Sequence, residues 1–275
     1  MPGKLYILAT PIGNLKDITL RAIEVLKSVD FLVVEDTRVT LKLLNHLGLK
    51  KPMFSYFRHS NPEKLDSILQ KLQSGQTAVI VSDAGMPCIS DPGEELVKAC
   101  IEYGINLEPI PGANAALSAL VASGLGTTRF CFEGFLPMNK KNRAARLKKL
   151  QQEERTIIFY EAPHKLLSTL KDMQHTFGGE RKICIAKELT KIHEQFLRFC
   201  LAQAVEYFEH EPPKGEFVLI LEGAEKIEDK KLNEAEIIKE AQKLQKAGKS
   251  KTEIAKELAE KSELSRQEIY NLLHG

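Results

Sequence analysis

TAVIVSDAGMPCISDPGE, residues 77–94, decides how the rest of the chain is read. Ala78, Val79, Ile80 and Val81, followed by the small Ser82, predict a strand buried on both faces of a parallel sheet. Asp83 falls where the carboxyl end of that strand would lie. Ala84, Gly85, Met86, Pro87 and Ser90 make a loop of small and rigid residues. Asp91 as N-cap, Pro92 in the first helical position, and Glu94 with Glu95 at the positive end then predict a helix. An acid and bare backbone amides converge at the edge where open α/β sheets bind ligands. A well-capped βα loop without a ligand would look the same locally.

The same pattern repeats on both sides of this stretch. Leu5 to Ala9 reads as a short buried strand that breaks at Thr10-Pro11-Ile12-Gly13-Asn14, where Pro11 removes a donor and Gly13 admits unusual backbone angles. Asp17 is placed to cap a helix with Ile18, Ala22, Val25 and Leu26 on one face. Phe31 to Val34 is another buried strand, ending in Glu35-Asp36-Thr37-Arg38, a charged cluster at the same edge as Asp83; composition alone would equally make it a solvated helix start. A helix over Thr40 to Leu47, a short strand over Met53 to Tyr56, a helix opened by Asn61-Pro62-Glu63 and a strand over Ile105 to Ile110 follow. Strand, helix and strand repeated predict a parallel sheet with right-handed crossovers from residue 4 to about 110. No G-x-G-x-x-G follows any strand, so the dinucleotide fingerprint is absent.

Pro111-Gly112 reads as a hinge, dividing an N-terminal α/β domain over 1–111 from a C-terminal α/β domain over 112–223. Ala113 to Ser123 is a helix of small residues, either a tightly packed core helix or one that lets a ligand approach. Strands are expected over Arg129 to Glu133, Thr156 to Glu161, Lys182 to Glu188, His193 to Phe199 and Glu216 to Leu221, forming a mixed sheet. Helices are expected over Lys141 to Gln152, Pro163 to Phe177 and Ala202 to Phe208. Residues 139–150 carry six basic side chains and no acid. Such a run is either a solvated helix face or a phosphate-contacting surface, with Lys140, Lys141, Arg143 and Arg146 as candidate RNA contacts. From Ala224 apolar residues thin out: 224–233 reads as a linker and 234–275 as a tail of three short helices resembling a helix-turn-helix.

Length and charge bound the possibilities. A chain of 275 residues with 43% hydrophobic and 28% charged residues holds a sizeable core, and a net charge of +2 means that a nucleic acid would have to be met by a local patch. Cysteines 88, 100, 131, 184 and 200 show no C-x-x-C spacing, which predicts neither a disulfide framework nor a zinc site and fits a reducing cytoplasm. No segment approaches the ~20 apolar residues of a membrane span.

The loop Ser82-Asp83-Ala84-Gly85-Met86-Pro87-Cys88-Ile89-Ser90-Asp91-Pro92-Gly93 resembles the signature of the ribosomal RNA small subunit methyltransferase I family, in the tetrapyrrole-methylase class of S-adenosylmethionine enzymes. Seven further segments match in order: Leu8 to Leu15, Glu35 to Arg38, Pro111 to Ala116, Phe132 to Pro137, Phe159 to His164, Ala186 to Thr190 and Lys214 to Phe217. The resemblance covers about residues 4 to 223 and implies a two-lobed α/β fold, the class III methyltransferase type. It also implies that S-adenosylmethionine binds between the lobes and leaves as S-adenosylhomocysteine. The implied cofactor contacts are Pro11, Asp83, Ala84, Gly85, Met86, Ser90, Ala113, Asn114, Phe132, Tyr160, Glu161 and Ala162. Met86, Asn114 and Val39 depart from the threonine, the small or hydroxyl residue and the histidine more usual at those places.

The implied reaction is 2'-O-methylation of a cytidine ribose in 16S rRNA, in the decoding region of the small subunit, by a cytoplasmic homodimer that needs no metal and no membrane. A ribose hydroxyl is a weak acid, so a base must take its proton or a cation must favour its alkoxide. Glu35, Arg38, Lys187 and Glu188 are the catalytic candidates, drawn from a wider set of matched residues that includes Asp36, Glu133 and Glu161. A small-molecule methyltransferase of the tetrapyrrole type would share fold and cofactor, and a non-catalytic nucleic-acid binder built on the terminal helices is the reading from another class.

Overall fold

The computed structural model describes residues 3–56, 62–225 and 232–273. The chain divides into two compact units, Met1–Ala224 and Glu225–Gly275.

The first unit begins with β1 (Lys4–Leu8), α1 (Leu20–Ser28), β2 (Phe31–Val34), α2 (Thr37–His46), β3 (Met53–Ser55), α3 (Pro62–Gln73), β4 (Ala78–Val81), α4 (Glu94–Glu102) and β5 (Asn106–Ile110). The five strands pair in the order β3-β2-β4-β1-β5, all parallel. The strand expected at 78–81 lies at the centre. Ala78 and Ile80 pack with Ile68, Leu72, Leu96 and Cys100 on one face, and Val79 and Val81 with Ala22, Leu26 and Leu44 on the other. Helices cover both faces, which is why the run is continuously apolar. At the edge, Ile110 turns toward β1, its carbonyl accepting from Ala9 N at 3.2 Å, while Arg21 Nη2 donates to the carbonyl of the neighbouring Pro109 at 3.0 Å.

Two expected caps are displaced, and the helices expected to start at Thr40 and Ala113 open at Thr37 and Ala115. Asp17 lies in a 3-10 turn over Leu15–Asp17, and α1 is capped by Thr19, whose hydroxyl accepts from Ala22 N at 3.1 Å. Neither Asp91 nor Pro92 opens α4; its N-cap is Gly93, at φ 130. A Cβ on Gly93 would meet Ile80 and Cys88 side chains at 2.6 and 2.7 Å, so the loop is packed against the strand until a glycine releases it into the helix. The helix start at Asn61 and most of the 224–233 linker fall outside the described residues.

The chain continues with α5 (Ala115–Ser123), β6 (Phe130–Phe135), α6 (Lys140–Lys149), β7 (Thr156–Glu161), α7 (Pro163–Phe177), β8 (Lys182–Lys187), β9 (Gln195–Cys200), α8 (Leu201–His210) and β10 (Phe217–Leu221). Their strands form a second sheet in the order β6-β7-β10-β8-β9, with β6 and β7 parallel and the other pairs antiparallel. One face, carrying Ile157, Phe159, Ile185 and Leu219, is covered by Leu147, Leu166, Leu170, Met173 and Leu201. The other, carrying Ile158, Ala186, Val218 and Ile220, is covered by Ala116, Ala119 and Leu120 of α5. Small side chains on α5 let it lie close against the sheet, the packing alternative raised by its composition.

β6 carries a bulge. Phe132 pairs with Ile158 but Gly134 with Phe159, so Glu133 is the extra residue, and Gly134 takes φ 62. The extra residue moves Phe135 to the place opposite Tyr160 and sets it on the same face as Phe132. The rings of Phe132 and Phe135 flank Tyr160 edge-on, with centroids 5.0 and 5.6 Å away.

The second unit holds α9 (Glu234–Lys246), α10 (Lys251–Ala259) and α11 (Arg266–Leu272). Each begins with a capping box, Asn233 with Glu236, Ser250 with Glu253 and Ser265 with Glu268. Ile237, Ala241, Ile254, Ala255, Leu258 and Ile269 make a core of their own, while the adjacent Ile238 is exposed.

Candidate active site

The carboxyl ends of β1 and β4 are tied together by backbone: Thr10 N donates to the Gly85 carbonyl at 2.9 Å and Gly85 N to that of Thr10 at 3.1 Å. The bridge holds the two predicted ligand loops side by side, with Gly85 at φ 82 and Ile12 against it. Beyond Gly85 the loop is strained: Cys88 and Ser90, neither a glycine, have φ of 69 and 67. Residues held in the left-handed region by their surroundings cluster at functional sites. Burial pushes the Cys88 thiol up to about 11, which leaves it unreactive at neutral pH.

These loops wall a cavity of about 360 Å³ whose other walls come from the second sheet. Its lining includes Ala84, Gly85, Met86, Ser90, Asn114, Tyr160, Glu161 and Ala162, eight of the twelve expected cofactor contacts. Pro11, Asp83, Ala113 and Phe132 are not part of that lining. The rest comes from residues outside the twelve expected contacts, including Ile12, Ile89, Asp91, Phe135, Leu189, Glu216 and Val218. Leu189 and Val218 belong to matched or strand segments, but only the sheet pairing shows that they face the cavity.

Asn114 caps α5, its Oδ1 accepting from Leu117 N at 2.9 Å. Its side-chain oxygen is therefore committed and its amide nitrogen remains for a ligand. Glu161 is buried; its carboxylate accepts from Thr169 Oγ1 at 2.6 Å and from Ala162 N at 2.9 Å, fixing the turn from β7 into α7. Burial pushes the Tyr160 phenol up, against a hydrogen bond from the Ala116 backbone.

Asp83 stands outside the lining, at the end of β4. Its Oδ1 accepts from Asp36 N at 3.1 Å, and burial pushes its carboxyl up against that bond. Asp36 caps α2 and is gripped by Arg38, with Nη2 to Oδ2 at 2.6 Å and Nε to both oxygens at 3.1 Å, which lowers its carboxyl to about 2. The Glu35-to-Arg38 cluster and Asp83 thus meet, as the sequence placed them at one edge. Glu188, at φ 53, accepts on Oε1 from Lys191 Nζ at 2.9 Å and from Glu216 N at 2.8 Å. Burial alone pushes its carboxyl up, but Lys191 and the Glu216 amide outweigh this and hold it below its usual range. Glu35, Arg38, Lys187 and Glu188 all lie outside the cavity lining.

Two of the four candidate RNA contacts are committed within the protein. Arg143 Nε meets Asp172 Oδ2 at 2.6 Å, and Arg146 grips Glu133 with Nε to Oε2 at 2.6 Å and Nη2 to Oε1 at 2.8 Å. Lys140 and Lys141 are exposed. Among the described residues no group of His, Cys, Asp or Glu is arranged to hold a metal ion, and no helix is long and apolar enough to cross a membrane.

Two αβ lobes meet at a cavity beside the carboxyl ends of a parallel sheet, and the family profile that fits this chain makes it a member of the tetrapyrrole-methylase class. The sequence profile of the Tetrapyrrole (Corrin/Porphyrin) Methylases matches residues 4–205. Solved structures of this shape include uroporphyrin-III C-methyltransferase from Thermus thermophilus complexed with S-adenyl homocysteine, at TM-score 0.57 and 17% identity over 79% of this chain and 97% of that one. A cobalt precorrin-4 methyltransferase matches at TM-score 0.60 and 15% identity, over 80% and 94% of the two chains. At these identities the likeness is one of fold.

Within the class, the chain belongs to the ribosomal RNA small subunit methyltransferase I family. A family member from Synechocystis is 48% identical over 98% of this chain and 97% of its own, and one from Halalkalibacterium halodurans is 44% identical over 99% and 95%. One from Thermotoga maritima is 46% identical over 81% of this chain and 100% of its own. The protein is an S-adenosylmethionine-dependent methyltransferase. The cavity suits that donor in size, in its apolar walls of Ile12, Met86, Leu189 and Val218, and in its few polar groups at Ser90, Asn114 and Glu216.

Proposed function

We propose that this enzyme methylates the 2'-hydroxyl of a cytidine ribose in 16S rRNA, in the decoding region of the small subunit, acting in the cytoplasm as a homodimer on the RNA or the assembled particle. The observation that carries the reading is near-full-length similarity to relatives named for ribosomal RNA, at 44 to 48% identity, against 15 to 17% for the tetrapyrrole enzymes above.

S-adenosylmethionine supplies a methyl group already activated on a sulfonium, so the transfer is an in-line displacement dominated by positioning. The chain's own part is to hold that donor along Ala84 to Met86, Ser90, Asn114 and the Tyr160-to-Ala162 turn, with Ile12 and Leu189 excluding water. Phe132 packs edge-on against Tyr160 of that turn, and Asp83 ties the end of β4 to Asp36 N. Glu161, satisfied by Thr169 and Ala162, is a strut of the turn and not a proton acceptor. Among the four matched acid–base candidates, Glu35 takes the acceptor's proton, with Arg38 and Lys187 as the cations that favour its alkoxide.

The test incubates the protein with labelled S-adenosylmethionine and small subunits from cells lacking the enzyme, followed by nuclease digestion and mass mapping. Label on a cytidine 2'-oxygen is expected. Label on a base ring, or none, rejects the mechanism. In the same assay, Glu35→Gln is expected to lower kcat about 10²- to 10⁴-fold without weakening calorimetric donor binding.

A further inference from the structure

Beside the donor cavity lies a second hollow of about 270 Å³, lined by Ser90, Phe132, Glu133, Gly134 and Phe135. Phe135 lines both. It is 56% exposed, and Met138, three residues on, is 78% exposed. The segment that carries them is not loose: Leu136 between them is buried in the core with Leu147 of α6. The ring meets Tyr160 edge-on on one side and, at this exposure, leaves aromatic surface between the two hollows for a further stacking contact.

The same hollow adjoins α6 through Glu133, the residue that Arg146 grips. The two arginines of α6 therefore pin the helix, Arg146 to β6 and Arg143 to α7. Leu147 seats the same side in the core. Lys141, Lys148 and Lys149, seven and eight residues apart, share the opposite face, and all three are exposed. Ala144 and Ala145 between them add no bulk, so a backbone of phosphates can come close. α6 has one cationic side tied to its neighbours by ion pairs and another left to the surface.

We propose that the second hollow is the acceptor subsite: the base of the target nucleotide, drawn out of a single-stranded segment of RNA, stacks on Phe135, and the phosphates flanking it lie along Lys141, Lys148 and Lys149. Arg143 and Arg146 are positioning residues and touch no RNA. The inference rests on the RNA-methylation reading above. Its occupant is set by charge and shape together: a flat ring at the mouth with a lysine stripe beside it matches a base with its phosphates. The β6 bulge brings the two halves together, because without the extra Glu133 the ring at 135 would face away from Tyr160.

The test measures methyl transfer to unmodified small subunits, subunit binding as a function of salt, and calorimetric donor affinity, for each variant in the full chain. Phe135→Leu keeps apolar bulk and removes the π face; kcat/KM for RNA is expected to fall about tenfold or more, by a larger factor than any loss of calorimetric donor affinity, since Phe135 also lines the donor cavity. Phe135→Tyr is expected to restore kcat/KM. The triple variant K141Q/K148Q/K149Q is expected to weaken subunit binding and to flatten its dependence on salt, by roughly one unit of log–log slope for each phosphate no longer neutralised. If Phe135→Leu transfers methyl to RNA as well as wild type, or the triple variant keeps the wild-type salt slope, the subsite is wrong while the RNA reading stands. If wild type itself transfers no label to RNA, the reading falls and the subsite with it.

Discussion

Gly134 has φ 62, and a Cβ at that position would stand 3.0 Å from Ser90 Oγ. Gly134→Ala is therefore expected to cost about 1–2 kcal/mol of stability in chemical denaturation. RNA methylation should fall further than this loss of fold explains, because the same residue aims Phe135. Glu153 sets a pH dependence. Two hydrogen bonds of 2.7 Å from the Arg155 side chain and one from its backbone N–H lower the Glu153 carboxyl from 4.5 to about 2. A folded-state value below the unfolded one contributes stability above pH 4.5, and that contribution is lost as pH falls toward 2. Replacing Glu153 by Gln should flatten the stability profile across that window, as thermal melts at stepped pH would register. Neither residue is legible in the sequence. Alternation in Phe-Cys-Phe-Glu-Gly-Phe puts 132 and 134 on one face, and a bulge belongs to the pairing with β7, which no residue of β6 announces alone.

At the level of elements, apolar runs are the reliable signal. β4, β7 and β10 are continuously apolar because both of their faces are covered, and α7 occupies Pro163–Phe177, the bounds expected for it. The two displaced caps differ in kind: Asp17 falls in a 3-10 turn ahead of Thr19, whereas close packing against Ile80 and Cys88 reserves the cap of α4 for Gly93. Charge runs are ambiguous as well. Six basic residues on one helix look alike, and the ion partners that separate anchor from surface, Glu133 and Asp172, come from β6 and α7. In the tail, short helices carry their own caps, and the three helices expected there form: Ser265 caps α11, its hydroxyl accepting from Glu268 N at 3.3 Å. Ser265→Ala should cost about 1 kcal/mol, detected as a lowered midpoint in the unfolding of the C-terminal unit.

For the whole molecule, the separation into Met1–Ala224 and Glu225–Gly275, each with its own core, predicts two unfolding events. A chain ending at Ala224 should lose one calorimetric transition, keep the other, and bind S-adenosylmethionine with unchanged affinity; loss of donor binding would mean that the tail completes the site. The two-lobed plan and the loops that meet in the cavity are legible because each is a local pattern at a strand end. The cavity's far wall, Leu189 and Val218, is not, because it arises where β8 and β10 pair. Both margins of the first sheet are also blunted. β3 is three residues long, and β5 carries Pro109, which has no N–H to offer and whose carbonyl is already taken by Arg21. A stray extended segment finds no continuous ladder to join there, so this lobe is guarded against templated fibre growth, and whatever docks on it must be recognised by side chains.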